Sequence, residues 1–421
     1  MMRPALGLAC VVVTSCVPAS APDAGPSDPV GCTLQNDCGE ETGRPGRRSE
    51  LDGIYDPRAG RMIIFGGTTA IPVECNFPAA EYTDETWAFF DRCGIWKQLT
   101  GPSPGLRSRH MMAYDSGAHR ALLYGGRYRA GTTGLYTVFG DLWELDLGAD
   151  SWSELSTTGA PPARVHAAFE VNGNGTKAYL FGGNKSPDGT VYDVQNDLWE
   201  LDLANLSWTK LTPAGPAPDA RQWFGSLFDV TRDRFVVFGG SDNNAFFSTD
   251  YKNDVWAYDV SSGAWQRLHD GASPAPAGRF GPEWVHDSES DTYLLFGGHD
   301  DTNLGNSNDL WAFSPASNTW EQLRPGDTYN KQANGFCDFP PDFTVVDQDS
   351  PERRNAFAAV YSSNADCPAL LVTMGKTDCG AADDVQRYVP TERRWDLLLE
   401  AREGEMCLRT NTEFDCFEMC E

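Results

Sequence analysis

Two residue sets in this chain have the types and spacing to do chemistry. The first is an arginine column, Arg48, Arg107, Arg164, Arg221 and Arg279, continued by Arg353 or Arg354. A guanidinium grips carboxylates and other anions with two parallel hydrogen bonds. Arg107, Arg164, Arg221 and Arg279 are therefore candidate ligand-binding residues, while ion pairing inside an acidic protein would equally account for the column. The second set is acidic: Glu85, Asp141, Asp197, Asp254, Asp309 and Asp384. These could form a ring of metal ligands, but short carboxylates at turns ordinarily accept backbone N–H bonds, the role expected of them here.

The six histidines, His110, His119, His166, His269, His286 and His299, are scattered. His299-Asp300-Asp301 is the best local metal-like cluster, though one imidazole beside two acids is a thin donor set. The Asp- and Asn-rich loops would suit calcium, a hard cation that takes oxygen ligands, yet no 12-residue calcium loop occurs. The His-Glu-x-x-His helix and the glycine-rich phosphate loop are also missing from the sequence. Whether the chain is an enzyme is left open by these residues.

A repeat positions both columns. An apolar run closing on Gly-Gly recurs at Gly66-Gly67, Gly125-Gly126, Gly182-Gly183, Gly239-Gly240 and Gly297-Gly298. Tryptophans follow in two columns, Trp87, Trp143, Trp199, Trp256 and Trp311, then Trp96, Trp152, Trp208, Trp265 and Trp320, each advancing by 56, 56, 57 and 55 residues. In a degenerate sixth copy Gly375 ends the apolar run, with Gln386 and Trp395 in the tryptophan columns. The residues 325–351 are inserted before it, as an edge element or as a cap on one face. Each unit holds four strand-like segments, in the third copy Arg164 to Val171, Lys177 to Phe181, Asp197 to Leu203 and Trp208 to Leu211. One small antiparallel sheet cannot bury both faces alone, and six arranged radially can. The expected fold is all-β, a six-bladed β-propeller of four-stranded antiparallel blades.

The Gly-Gly doublet, the arginine 18 residues before its first glycine and the paired tryptophans after it resemble the kelch repeat over residues 48–400. The resemblance implies that the arginine-bearing strand lies near the central channel. It also brings enzymes into view, because kelch-like propellers include a copper oxidase of galactose, a sialic-acid mutarotase and iron-dependent nitrile-specifier proteins. The Glu-x-x-x-Asp-x-x-x-His metal motif of the last group does not occur here.

Variable connections after each glycine pair should emerge together on one face, the usual place for binding in repeat folds. They carry Tyr128, Tyr136, Tyr192, Phe246, Phe247 and Tyr251 among small polar residues, a mixture suited to recognising a protein or a glycan. The leading expectation is an exported binding or adhesion module using these loops around the channel mouth. A propeller enzyme acting on a carbohydrate or small carboxylate at that mouth, and a structural envelope component, are the alternatives.

The formal charge is -27, from 60 acidic against 33 basic residues, which repels phosphate backbones and excludes nucleic acid as an expected partner. Residues 1–15 read as a signal peptide, and Val13-Thr14-Ser15-Cys16 resembles a bacterial lipobox with Cys16 as the lipidation site. That resemblance implies an extracytoplasmic protein, either a lipoprotein of a Gram-negative outer membrane attached by its lipid anchor alone, or a secreted one. Residues 16–47 read as a tether with a small cysteine loop, and 401–421 as a Cys-rich extension. An exported chain with Cys32, Cys38, Cys75, Cys93, Cys337, Cys367, Cys379, Cys407, Cys416 and Cys420 calls for a disulfide framework. Cys32/Cys38, Cys75/Cys93 and Cys367/Cys379 are candidate local pairs, and spacing does not decide the connectivity.

Overall fold

The computed structural model describes residues 32–35, 38–70, 81–189, 191–242, 251–300, 305–329, 344–377 and 380–402. Six four-stranded antiparallel sheets follow one another along the chain. Their inner strands are Asp52–Asp56, Met111–Asp115, Ala168–Val171, Gly225–Asp229, Glu283–Asp287 and Ala358–Ser362. Each packs against the inner strands of the two neighbouring blades, and the sixth against the first, so the sheets close into a ring around a central channel. This is the six-bladed β-propeller expected from the repeat. Each blade takes its four strands in chain order, with a short two-stranded ladder between the second and third strands of blades 2, 5 and 6; in blade 3 Ala168–Val171, Lys177–Phe181, Leu198–Asp202 and Ser207–Leu211 lie in order from the axis outward. Among the described residues the inserted segment contributes a two-residue ladder, Thr328 pairing with Val345.

The second strand of each blade is the most apolar because neighbouring sheets cover both its faces. Phe235, Val236, Val237 and Phe238 are wholly buried, as are Tyr179, Leu180 and Phe181. The second tryptophan column fills the space between blades. Trp208 stands 5.5 Å from Tyr124 of blade 2, and Trp265 stands 4.9 Å from Phe181 of blade 3.

The glycine pairs dock each blade onto the next. The second glycine donates its N–H to the arginine carbonyl of the following blade: Gly67 to Arg107, Gly126 to Arg164, Gly183 to Arg221, Gly240 to Arg279 and Gly298 to Arg354. Gly375 donates to Arg48 at 2.9 Å and so joins the last blade to the first. A Cβ on Gly125 would sit 2.6 Å from the Arg164 carbonyl, and φ there is +71°, so only glycine admits this approach.

The arginine column lies inside the blades. Arg164 donates to both carboxylate oxygens of Asp197, at 2.7 and 3.2 Å, and to the Gly182 carbonyl at 2.8 Å, while Trp199 Nε1 donates to Asp197 at 2.8 Å. Arg107 with Asp141 and Trp143, Arg221 with Asp254 and Trp256, and Arg279 with Asp309 and Trp311 repeat the arrangement. In blade 6 Arg354 pairs with Asp384, and Gln386 Nε2 replaces the indole N–H at 2.8 Å. The acidic column thus accepts from arginine and tryptophan side chains, rather than only from the backbone of a turn.

Two disulfides correct the local pairing. Cys32 bonds Cys367 and Cys38 bonds Cys93, not Cys32 with Cys38, Cys75 with Cys93, or Cys367 with Cys379. The reason is topological. Beyond Cys38 the N-terminal segment runs along the outer strand of blade 1, where Thr42 donates its N–H to the Trp96 carbonyl. Cys32 reaches the first hairpin of blade 6, beside Val389. The segment straps the seam at which the ring closes. Cys16, Cys75, Cys337, Cys379, Cys407, Cys416 and Cys420 lie outside the described residues, as do Phe246, Phe247 and Asp301. Among the described residues no helix is long and apolar enough to cross a membrane.

Candidate functional site at the channel mouth

Two residues beyond each repeat arginine the backbone turns left-handed. Glu50, Arg109, His166, Trp223, Gly281 and Ala356 hold φ between 51° and 60°. Their peptides form a belt around the channel: Glu50 N–H donates to Ala356, Arg109 to Glu50, His166 to Arg109, Trp223 to His166 and Gly281 to Trp223. Left-handed backbone is costly for residues with a Cβ and persists only where the surroundings fix it. The interblade hydrogen bonds do so here. The six equivalent positions carry six different side chains, so the mouth is chemically asymmetric within a regular frame.

Glu50 and Arg109 face each other, with Arg109 Nε donating to Glu50 Oε2 at 2.6 Å and Nη2 to Oε1. Burial works to raise the Glu50 carboxyl, but Arg109, with Arg127 behind it, holds it well below the usual carboxylate range. Arg127 lies 3.9 Å from Glu50 and its guanidinium stacks 3.9 Å above the Tyr136 ring. Burial, and then Arg109, bring Arg127 down to about 10, so it stays charged at neutral pH. Two guanidinium groups against one carboxylate leave a positive surplus in a strongly acidic molecule. Tyr82 and Tyr192 approach the same charges, and burial pushes the Tyr82 phenol up to about 12.

His166 stacks on Trp223 with ring centroids 4.0 Å apart, and Arg109 lies 5.1 Å from the same indole. Only 7 % of His166 is exposed, and neither ring nitrogen makes a hydrogen bond of good geometry, although Gln222 lies alongside. Burial, then Arg109, hold the imidazole well below its ordinary value, hence neutral.

Below the belt the channel encloses about 340 Å3 and is lined by Asp52, Met112, Glu170, Ser226 and Glu283 among others. Asp52 accepts N–H bonds from Gly53 at 2.6 Å and from Met112 of blade 2 at 2.7 Å, yet burial raises it to about 7. Burial likewise raises Glu170 to about 8, against a 2.7 Å bond from Ser226 Oγ of blade 4. Glu283 is pushed well above the carboxylate range by burial, then by Asp52 and Glu170.

At the opposite end of the channel Asp229, His286 and Asp291 offer three metal-type donor atoms within 4.8 Å of one another. Arg232 bridges Asp229 and Asp291, Arg234 donates to Asp229 at 3.0 Å, and the Tyr293 hydroxyl also donates to Asp229. Two guanidinium groups already neutralise the two carboxylates, so the donor set fits a cation poorly. His299 hydrogen-bonds Asn306 at 2.8 Å and packs on Phe280, away from this cluster, while Asp300 is buried beside it in a short ladder.

The comparisons with known proteins agree with this architecture. A model of the KLHDC2/KLHL20/DRC7 Kelch-repeats domain matches residues 165–337. The domain is a six-bladed β-propeller related to kelch-repeat proteins. The propeller is 31% identical over 136 residues to Tip elongation aberrant protein 1 of Schizosaccharomyces pombe, 32% of this chain and 11% of that protein. It is 25% identical over 279 residues to Kelch domain-containing protein 10 of Rattus norvegicus, 62% of each. The chain thus spans less than two thirds of the length of these relatives. The solved structure of YjhT superposes with a TM-score of 0.59 at 15% identity, covering 85% of this chain and 99% of that one, which shows a shared fold.

Of the residues singled out in the sequence, the propeller brings Tyr136 and Tyr192 to the mouth. Tyr128 packs against Tyr82 and Tyr251 against Phe280, both on the loop face. Arg107, Arg164, Arg221 and Arg279 are buried in ion pairs, so what reaches the channel is the residue two places further on. Glu50, Arg109, Trp223, Asp52, Glu170 and Glu283 went unremarked in the sequence, and His166 stood out only as one of six scattered histidines. The available signal was a column at fixed offset from the arginine whose chemistry changes from blade to blade.

Proposed function

We propose that the propeller is an enzyme acting on a carbohydrate or small carboxylate at the loop-side channel mouth. The observation that carries this reading is the Arg109–Glu50–Arg127 cluster, a positive surplus ringed by tyrosine hydroxyls at the entrance to an enclosed channel. The guanidinium groups would take the carboxylate of a sugar acid. Asp52, at about 7, has the proton affinity that acid–base chemistry at neutral pH requires. Two disulfides support an extracytoplasmic setting, and an anchor at Cys16 belongs to the same proposal.

The test is a proton NMR screen of uronic acids and other small carboxylates with the full chain, read first for saturation transfer and then for conversion over hours. Binding and turnover of one class, both lost in Arg109→Gln, are expected. Binding to large glycans or proteins alone, unchanged in Arg109→Gln, would return the reading to a recognition module.

A further inference from the structure

One cavity holds two poles of opposite charge. The mouth presents Arg109 against Glu50, with Arg127 behind them, whereas the channel beneath presents Asp52, Glu170 and Glu283 from the inner strands of blades 1, 3 and 5. The other inner strands set no charge against these acids. Met112 and Ser226 face them from blades 2 and 4, and Ala359 from blade 6. Of the remaining titratable groups that line the channel, His110 follows Arg109 at the mouth end and is held neutral by burial and then by Arg107, while Tyr55, Tyr114, His286 and Tyr361 stand towards the far end. At the upper end of the same cavity His166 is more than nine-tenths buried, and neither ring nitrogen makes a hydrogen bond of good geometry, with Gln222 alongside, so the imidazole can still turn a nitrogen to an entering group.

We infer that the channel takes a zwitterion, a carboxylate held at the mouth and an ammonium group held by Asp52, Glu170 and Glu283. This rests on the mouth being the carboxylate site proposed above. Asp52 and Glu283 lie two residues below their belt positions at Glu50 and Gly281, roughly 7 Å along a strand rising ~3.3 Å per residue. A ligand that satisfies both poles has its amine several bonds from its carboxylate, as in an ω-amino acid or an amino-sugar acid. An α-amino acid is too short to reach.

The acids also fit the partner chemically. Three carboxyls buried in one channel retain protons because burial disfavours their charged forms, with repulsion between them adding to it at Glu170 and Glu283, and an entering ammonium supplies the missing positive charge. They then ionise, and binding releases protons to solvent. Asp52 at about 7 and Glu170 at about 8 place that release near neutral pH.

The experiment is isothermal titration of the full chain at pH 7.5 with 5-aminopentanoate, pentanoate and glycine, each in two buffers of different ionisation enthalpy. The expected result is a preference of about tenfold for 5-aminopentanoate over pentanoate, the size of one charge-assisted contact. Proton release should accompany 5-aminopentanoate only, and glycine should bind no better than pentanoate. In Glu283→Gln, and separately in Glu170→Gln, the preference should shrink to about twofold while pentanoate affinity holds. Two separate variants guard against one failing to fold. Equal affinity for 5-aminopentanoate and pentanoate without proton release would overturn the zwitterion and leave the carboxylate site standing. If neither ligand binds, the carboxylate site itself fails and the inference falls with it.

Discussion

The imidazole of His166 lies on the indole of Trp223 with centroids 4.0 Å apart and planes 10° from parallel, across the boundary between blades 3 and 4. The Trp223 N–H donates to the His166 carbonyl, so one backbone contact fixes both rings at the mouth. This pair shows how the propeller builds its site. A repeated arginine and aspartate set the frame, and a left-handed residue two places later delivers a different side chain from each blade.

The frame should be costly to break. Arg164 is wholly buried against Asp197, and removing one partner of a buried pair strands the other charge. Arg164→Ala should lose about 3–5 kcal/mol in denaturant unfolding. Arg164→Lys should recover only part, because an ammonium lacks the fork that meets Asp197 and the Gly182 carbonyl together. A loss under about 1 kcal/mol for the alanine variant would assign the column a role other than framework.

The two tryptophan columns should separate experimentally. Trp208 is buried between blades 2 and 3, so Trp208→Ala should destabilise by about 3–5 kcal/mol. Trp199 is only partly buried and its ring is covered by Lys210, but its Nε1 donates to Asp197. Trp199→Phe keeps most of the packing and should lose about 1.5–3 kcal/mol, the worth of a hydrogen bond to a charged group. Equal losses from Trp208→Ala and Trp199→Phe would contradict the assignment.

Stability should fall as pH rises through neutrality. Asp52 and Glu170 bind their protons more tightly folded, at about 7 and about 8, than unfolded. Their contribution is complete below about pH 4 and is lost as pH climbs through the folded values. Glu170→Gln stays neutral throughout, so its melting temperature should gain on wild type progressively from pH 4 to pH 8.5. Parallel curves for the two proteins would mean that Glu170 is not held protonated in the channel.

The N-terminal strap should be covalent and should stabilise closure. Peptide mapping without reductant should recover Cys32 with Cys367 and Cys38 with Cys93. Replacing Cys32 and Cys367 together by serine should lower stability by about 2–4 kcal/mol, since that bond spans almost the whole ring. Recovery of Cys32 linked to Cys38 would refute the strap.

The fold was legible because six copies state it repeatedly: glycine pairs, tryptophan columns and the arginine offset each mark a strand boundary or a blade contact. The disulfides were not, because Cys32 and Cys367 meet only when the ring closes and no local spacing records that. The site was legible in part. Tyr136 and Tyr192 stood out as loop aromatics, but Glu50 and Arg109 sit beside the conspicuous repeat arginines and look like framework. Their divergence between copies has meaning only once the left-handed belt turns that position towards the channel. Asp52 and Glu283 share one register, opposite Phe65 and Phe296, but Glu170 lies two residues further along its strand, opposite Tyr179, so no single column of the repeat aligns all three.

The most direct test of the central claim is a crystal of the full chain soaked with a bromine-labelled small carboxylate such as 4-bromobenzoate, with anomalous differences measured at the bromine edge. The account predicts a peak at the loop-side mouth beside Trp223, with the carboxylate on Arg109 and Arg127, and its disappearance in Arg109→Gln. A peak confined to the outer loop surface, or one at the mouth that survives Arg109→Gln unchanged, would contradict it.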